Sequence, residues 1–215
     1  MMSTATQPLQ VDSLTEVTRR IIDAAEGHDR FLVALAGPPG AGKSYRSEQL
    51  FQAVEAQRQG QAVVVPMDGY HFDNAVLGPE QLPIKGAPHT FDADGLRVDL
   101  ERIRGGNATV AVPIFDRPLD LARAGGRLVT PEHRIVIVEG NYLLLDQGPW
   151  RALHSLFDLR VMLDVDDAVL ERRLIERWLS MGQNAEDARR KALDKDMPNA
   201  RLVKTTFIPP DLVWR

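Results

Sequence analysis

One stretch of the sequence combines glycines, a lysine and a serine at the spacing of a phosphate-binding loop. Residues 37–44 read Gly-Pro-Pro-Gly-Ala-Gly-Lys-Ser and match the pattern G-x-x-x-x-G-K-S/T at every required position. Glycines let backbone N–H groups wrap a phosphate closely, and the N-terminus of the following helix adds partial positive charge. In such loops the lysine reaches the β- and γ-phosphates, and the serine hydroxyl binds Mg²⁺. The predicted nucleotide-binding residues are Gly37, Pro38, Pro39, Gly40, Ala41, Gly42, Lys43, Ser44 and Tyr45.

Two carboxylates follow predicted strands and are suited to phosphoryl transfer. Asp68 comes shortly after the apolar run Ala62–Pro66, and Glu139 ends the run at 134–139. Because ligands bind outside the carboxyl ends of the strands in an open parallel sheet, we expect both at the edge that holds the phosphate loop. Asp68 can orient an acceptor hydroxyl and take its proton, and Glu139 can hold Mg²⁺ directly or through water. Both residue types also cap turns and strand ends, and the pattern alone leaves that alternative open.

A charged helix is predicted behind the run at 159–165. Within it, Arg173 and Arg177 lie four positions apart and therefore share one face. Two guanidinium groups so placed can close on a transferring phosphoryl group, whose developing charge needs stabilising. The alternative is a solvated helix face on which Glu171 or Glu176 pairs with a neighbouring arginine.

The segments that must position these residues alternate between short apolar runs and helix-length stretches. Runs rich in Val, Ile and Leu are typical of strands buried on both faces. Their alternation with helices predicts an α/β fold with a mainly parallel, doubly wound sheet and helices on both faces, as in P-loop nucleotide-binding proteins. The predicted strands are Phe31–Ala36, Ala62–Pro66, 134–139, 159–165 and Leu212–Trp214.

We expect one domain over residues 1–215, with a loose tail at 1–10. The capping-box spacing from Ser13 to Glu16 predicts a first helix over 13–26.

The stretch 69–131 is less regular and holds many of the prolines and glycines, with one predicted helix at 93–104. We interpret it as a substrate-handling insertion, because long irregular connections tend to be functional; a variable surface excursion is the alternative. His71 and His89 lie in it and are candidates for contacts with substrate hydroxyls. The five histidines show no i, i+4 pair and cysteine is absent, so the pattern predicts no His/Cys metal site.

The bulk composition argues against nucleic-acid-binding, membrane-spanning and secreted proteins. A hydrophobic fraction of 44% is enough for a substantial core, and a formal net charge of −4 without a strongly basic stretch speaks against a nucleic-acid partner. No apolar run approaches the roughly 20 residues of a membrane span, and the first residues lack the pattern of a signal peptide. Together with the absence of cysteine, this predicts a cytoplasmic protein without membrane insertion.

Taken together, the motifs resemble the branch of P-loop kinases that contains uridine kinase, phosphoribulokinase and bacterial pantothenate kinase. GPPGAGKS, MDGYHFDN, PHTFDADGL, VPIFDRPLD, VIVEGNYLLLD and the RRLIER helix follow one another in that family's order, over about residues 31–203. The forms DGYH-x-DN, FDR and EGNYLL, and D-M-P-N-A at 196–200, are most similar to kinases encoded with bacterial fructose-transport systems. The DGYH segment departs from the D-S-F-Y type of uridine kinase, which speaks against uridine as the acceptor.

The resemblance implies a phosphotransferase that moves the γ-phosphoryl group of ATP, with Mg²⁺, to a hydroxyl of a small metabolite. A sugar such as fructose is one candidate acceptor, and a nucleoside or pantothenate-type acceptor is the alternative. Asp68 would be the catalytic base, and Ser44 and Glu139 would handle magnesium. Lys43 would act on the phosphates, together with Arg173 and Arg177 from lid helices over 166–195. The implied acceptor-site residues are Tyr70, His71, Asp116 and Arg117, with His89 beside them.

Two other classes of protein compete with a kinase. A GTPase switch normally carries N-K-x-D, and the sequence contains no Asn-Lys pair. The D-x-x-G match at 92–95 precedes a helix and does not end a strand. A transport-accessory subunit without catalysis is the other class, and the presence of both Lys43 and Asp68 favours activity. The oligomeric state stays open, with a homodimer among the options.

Overall fold

Six parallel strands form the central sheet of the computed structural model, which describes residues 7–215. In chain order the strands of the molecule are β1 (Leu9–Val11), β2 (Phe31–Ala36), β3 (Ala62–Pro66), β4 (Val110–Asp116), β5 (Leu121–Val129), β6 (Ile135–Gly140), β7 (Leu159–Leu163) and β8 (Leu212–Trp214). The sheet order is β1–β8–β7–β2–β6–β3, and β4 and β5 form a separate antiparallel hairpin.

Helices connect the strands on both faces of the sheet. The α-helices are α1 (Leu14–Ala25), α2 (Lys43–Glu55), α3 (Asn74–Gln81), α4 (Ala93–Gly105), α5 (Asp167–Ser180), α6 (Ala185–Lys191) and α7 (Met197–Thr205). A π-helical segment, Ala192–Asp196, joins α6 to α7, and 3₁₀ turns occupy Met67–Tyr70, Leu82–Ile84, Pro88–Thr90 and Gly148–Leu156. None of the helices within residues 7–215 has both the length and the apolar character that crossing a membrane requires.

The core consists of two apolar layers, one on each face of the sheet. Strand β2 contributes to both, because successive side chains of a strand point to opposite faces. Leu32 and Ala34 pack in the layer that contains α4, whereas Val33 and Leu35 pack in the layer that contains α1, α2 and α5. The fold is therefore α/β and doubly wound, as the sequence predicts.

The register of the central strands brings their carboxyl ends to one edge. Ala36 of β2 is level with Gly140 of β6, and Glu139 is level with Pro66 of β3. The phosphate loop, Glu139 and the turn that contains Asp68 therefore leave the sheet side by side.

Most predicted elements are observed within one or two residues of the expected ends, and β2, β3 and β8 match to the residue. Ser13 caps α1, since its Oγ accepts a hydrogen bond from the backbone N–H of Glu16 at 3.2 Å. The expected loose tail at 1–10 is wrong for Leu9 and Gln10, which form β1 together with Val11. These residues pair with β8 and bury Val11, because the outer edge of β8 offers unpaired backbone groups. Residues 1–6 of that tail lie outside the described residues.

The segment 69–131 contains a hairpin that the sequence analysis did not predict. Strand β4 includes Pro113, and β5 includes Gly125 and Gly126, which are residues that weaken a strand pattern. Most of β5 is exposed, so it also lacks the apolar run by which buried strands are recognised. The hairpin packs over the 3₁₀ turn at Met67–Tyr70 and so covers one side of the carboxyl edge.

Candidate active site

The loop between β2 and α2 has the geometry of a phosphate cradle. Gly40 and Gly42 have φ angles of 82° and 85°, a left-handed conformation that favours glycine. A Cβ at Gly40 would also come within 3.1 Å of Leu174 on α5, so this glycine allows α5 to pack directly against the loop. Lys43 begins α2, and its Nζ donates to the carbonyl of Pro38 at 3.0 Å. Tyr45, on the same helix, is 68% exposed.

Glu139 lies at the end of β6 against the start of α2. Ser44 Oγ donates to Glu139 Oε1 at 3.3 Å, which places the two predicted magnesium residues side by side. Burial raises the pKa of Glu139 to about 7, and the nearby Asp68 carboxylate adds to that effect. Burial lowers the pKa of Lys43 to about 8, although Glu139 and Asp68 counteract the shift. Two carboxylates and one ammonium group therefore share a partly desolvated space at the mouth of the loop.

Asp68 lies in the 3₁₀ turn directly behind β3, and its carboxylate forms an ion pair with Arg117 of the hairpin. The turn itself is closed by the backbone, since His71 N–H donates to Asp68 O at 3.2 Å. The next residue, Gly69, allows the hairpin to approach: a Cβ there would lie 2.3 Å from the carbonyl oxygen of Pro113. The carboxylate is thus available for chemistry and is oriented by a guanidinium group.

His71 lies beside this ion pair, and Asp116 directly precedes Arg117 in the hairpin. The ring of His71 packs against Phe91 and Phe115 at centroid distances of 4.0 and 4.6 Å, and its Nδ1 is 2.8 Å from Asp68 O. Burial lowers the pKa of His71, which favours the neutral ring. Asp116 pairs with Arg123 across the hairpin at 3.2 Å.

Two predicted acceptor residues are not brought to this position. Tyr70 is buried in the core layer of α4, and its hydroxyl donates to Asp99 on that helix at 2.9 Å. His89 is exposed on the 3₁₀ turn Pro88–Thr90. Tyr70 is directed away from Asp68 although the same turn contains both residues, and His89 has no hydrogen bond to Asp68 or Arg117 among residues 7–215.

Both predicted phosphate-binding arginines lie on α5 with specific partners. Arg173 Nη1 donates to the loop carbonyl of Gly40 at 3.3 Å. Arg177 Nη2 donates to Asp196 at 2.8 Å, and Arg177 lowers the pKa of Lys43 through its charge. The same helix also carries surface pairs of the kind that the solvated alternative predicts, such as Glu171, which faces Arg189 at 3.4 Å.

Comparison with known proteins agrees with this geometry, although no family model matches the chain. A Schizosaccharomyces pombe protein, provisionally named a uridine kinase, is 34% identical over 94% of this chain and 90% of its own length. A pantothenate kinase of Sorangium cellulosum is 32% identical over 74% of this chain and 53% of its own length. A crystal structure from Silicibacter sp. TM1040, provisionally named a fructose transport system kinase, shares 41% identity with a TM-score of 0.88, covering 95% of this chain and 100% of that one.

The chain belongs to the P-loop kinases of the uridine kinase and pantothenate kinase branch. Its nucleotide-binding loop, its parallel sheet and the order of its motifs are those that the resemblance implies.

In this P-loop kinase two further residues lie near the candidate site and were not predicted from the sequence. Lys85 is 9% exposed, and its Nζ contacts Asn74 Oδ1 at 2.7 Å and Asp120 Oδ2 at 3.1 Å. The same Nζ lies 5.3 Å from the ring centroid of Phe115, at the hairpin side of the site. Sequence patterns give no signal for such a lysine, because lysines are rarely buried and its partners are distant in the chain.

Asp196 is the second missed residue. Its carboxylate is buried and accepts hydrogen bonds from Arg177 and from Trp178 Nε1, the latter at 2.7 Å. It ends the π-helical segment, an irregularity that is frequent at functional sites. The D-M-P-N-A motif was the available signal, although it does not indicate which group the aspartate holds.

Proposed function

We propose that this protein transfers the γ-phosphoryl group of ATP to a hydroxyl group of a small metabolite. The observation that carries the proposal is the Asp68–Arg117 pair at the edge of the sheet that holds the phosphate loop. A nucleotide switch needs no oriented carboxylate opposite its loop, whereas a kinase needs one to position the acceptor.

On the nucleotide side, the loop amides and Lys43 bind the phosphates, and Arg173 adds a second positive charge next to Gly40. Arg177 approaches the same region and is held by Asp196. Ser44 and Glu139 fit a magnesium ion, because a hydroxyl and a carboxylate, both oxygen ligands, meet at the loop. Bound there, Mg²⁺ would neutralise charge on the phosphates.

On the acceptor side, Asp68 accepts the proton of the substrate hydroxyl while Arg117 fixes the orientation of the carboxylate. The hydroxyl oxygen forms a bond to the γ-phosphorus, and the bond from that phosphorus to the bridging oxygen of ADP breaks. The proton then leaves Asp68 for water. His71 and Asp116 border this space and offer polar contacts to further hydroxyls of the acceptor.

For the acceptor we favour a sugar such as fructose. The support is the 41% identity to the Silicibacter protein whose provisional name refers to fructose transport, together with the polar groups around Asp68. A nucleoside is the second candidate. The rings of His71 and Phe115 form an aromatic surface beside Asp68, and a nucleobase can stack on such a surface.

The experiment is an acceptor panel of sugars, sugar phosphates, nucleosides and pantothenate with ATP–Mg²⁺, in which release of ADP is measured. The Lys43→Ala variant is the control: it should fold and lose most activity, because Lys43 contributes a charge to the phosphates and little packing. A sharp increase with one acceptor class supports the kinase. Acceptor-independent hydrolysis alone supports the switch, and near-normal turnover by Lys43→Ala contradicts the assignment of the phosphate loop.

A further inference from the structure

A cavity opens at the amino-terminal edge of the sheet, opposite the candidate active site. Its volume is ≈ 710 Å³. Arg30 and Arg134 line it directly before β2 and β6, and Arg104 lines it from the last turn of α4. The same two strands end at the phosphate loop and at Glu139, so roughly 20 Å of strand separates the two edges.

Arg30 is the central group of this cavity and is 6% exposed. Its Nη1 donates to the carbonyl oxygens of Thr130 and His133. The Nε of Arg30 is buried without a hydrogen-bond partner. Its Nη2 lies beside Gly106, another lining residue: a Cβ built on Gly106 would be 3.9 Å from that nitrogen. Within residues 7–215 no carboxylate lies at ion-pair distance from Arg30. A buried guanidinium in this state is costly, and an anion would relieve the cost.

The guanidinium groups of the other two arginines are also only partly paired within residues 7–215. Arg104 Nη2 donates to Leu156 O at 2.7 Å and to Asp158 at 2.8 Å, while its Nε is buried without a partner. Arg134 is exposed, and its Nη2 donates to the carbonyl of His28 at 2.6 Å. Its contact is therefore to a neutral group, and no carboxylate of residues 7–215 lies at ion-pair distance from it.

The charges around the cavity favour an anion. Three guanidinium groups line it, whereas the carboxylates are Asp29 in the lining and Asp158 behind Arg104. Glu132 acts on Arg30 through its charge but is itself exposed to solvent. Within the lining itself three guanidinium groups stand against one carboxylate, and the arginines approach from three different segments of the chain.

We propose that this cavity binds a small molecule that carries phosphate groups. Phosphate suits the arrangement because its several oxygens can accept from guanidinium groups on different sides, and arginine binds phosphate through paired N–H donors. A carboxylate has only two oxygens in one plane and would engage fewer of the three. The site is separate from the nucleotide loop and does not depend on the proposed function.

The test is calorimetric titration of inorganic pyrophosphate into the Lys43→Ala protein, in which the nucleotide loop has lost its main charge. We expect one saturable site, and we expect Arg134→Gln in that background to raise its Kd about tenfold to a hundredfold, as the loss of a charge-assisted contact does. Arg134 is exposed and holds one carbonyl, so this variant should fold; Arg30→Lys, which keeps the charge, should weaken binding as well. Arg19→Gln on α1 is the matched control with the same change in net charge and should bind normally.

Four results would overturn the proposal, three of them from the pyrophosphate titrations. The first is an absence of saturable binding to the Lys43→Ala protein, and the second is an unchanged Kd in Arg134→Gln. The third is an equal fall in affinity in Arg19→Gln, which would mean that net charge and not the cavity governs binding. Acetate serves as the comparison anion, and an affinity for acetate as high as that for pyrophosphate would contradict the phosphate class.

Discussion

Replacing Asp68 by asparagine tests the acceptor side of the site directly. The substitution keeps the shape of the side chain and its turn preference but removes the group that accepts the proton. A positioned general base contributes roughly 10²–10⁴ in rate, which corresponds to about 3–5 kcal/mol of transition-state stabilisation. We therefore expect kcat with the best acceptor to fall by that factor. The turn should persist, because the backbone hydrogen bond from His71 N–H to Asp68 O closes it.

Measuring ATP binding by the Asp68→Asn variant distinguishes loss of the catalytic base from a general loss of folded structure. Asp68 acts on Lys43 as a nearby negative charge, so its removal should leave ATP affinity unchanged or slightly higher. The assays are steady-state kinetics with the identified acceptor and fluorescence titration of ATP–Mg²⁺. Asp73→Asn is the matched control, since Asp73 caps α3 by accepting from Ala75 N–H and asparagine caps equally well. If Asp68→Asn keeps wild-type kcat, Asp68 is not the base and the mechanism fails.

Three further variants test other parts of the site. Arg173→Ala should lower kcat roughly a hundredfold in steady-state kinetics, with a smaller rise in KM for ATP, because the charge of Arg173 matters most in the transition state. An unchanged kcat would mean that Arg173 is only a solvated surface residue. Glu139 has a raised pKa in the folded protein, so it lowers stability as pH rises from about 4.5 to about 7. Urea unfolding should therefore find Glu139→Gln stabilised by roughly 1–3 kcal/mol at pH 7.5 and much less at pH 4.5, and equal effects at both pH values would contradict the shift. Gly69→Ala should lower the free energy of unfolding by about 1–3 kcal/mol in the same assay and reduce kcat, because the added Cβ meets Pro113. Gly105→Ala is the control and should lower neither quantity, because there is open space around Gly105.

The part of the site that the sequence predicts well is built from consecutive residues. The phosphate loop follows a strand and begins a helix, so pattern and neighbouring elements specify the backbone together. The central strands are predictable for a related reason: each is buried on both faces and shows an unbroken apolar run. Asp68 and Glu139 could then be placed at one edge from the parallel topology alone.

The parts that were missed depend on contacts between distant segments. The hairpin of β4 and β5 packs on the turn at Met67–Tyr70, while most of β5 is exposed and the strands include Pro113, Gly125 and Gly126, which weaken a strand pattern. Tyr70 follows Asp68 by two residues in the same motif, yet the turn directs it into the core of α4. Lys85 is buried by partners 11 and 35 residues away. The spacing of residues in the sequence does not predict where the side chains of Tyr70 and Lys85 point.

This division between local and distant contacts explains why the acceptor is harder to identify than the nucleotide. The carboxylate of Asp68 pairs with Arg117, which lies 49 residues further along the chain. The intervening segment must fold before this ion pair can form. The hairpin turn that carries Arg117 also holds Asp120 at a φ of 53°, and that aspartate pairs with Lys85. The acceptor side thus depends on a turn whose conformation is unusual for a residue other than glycine, held by a buried lysine. Because this turn is separate from the phosphate loop, its residues can change without disturbing the loop, and we expect acceptor specificity to be determined between Lys85 and Arg117.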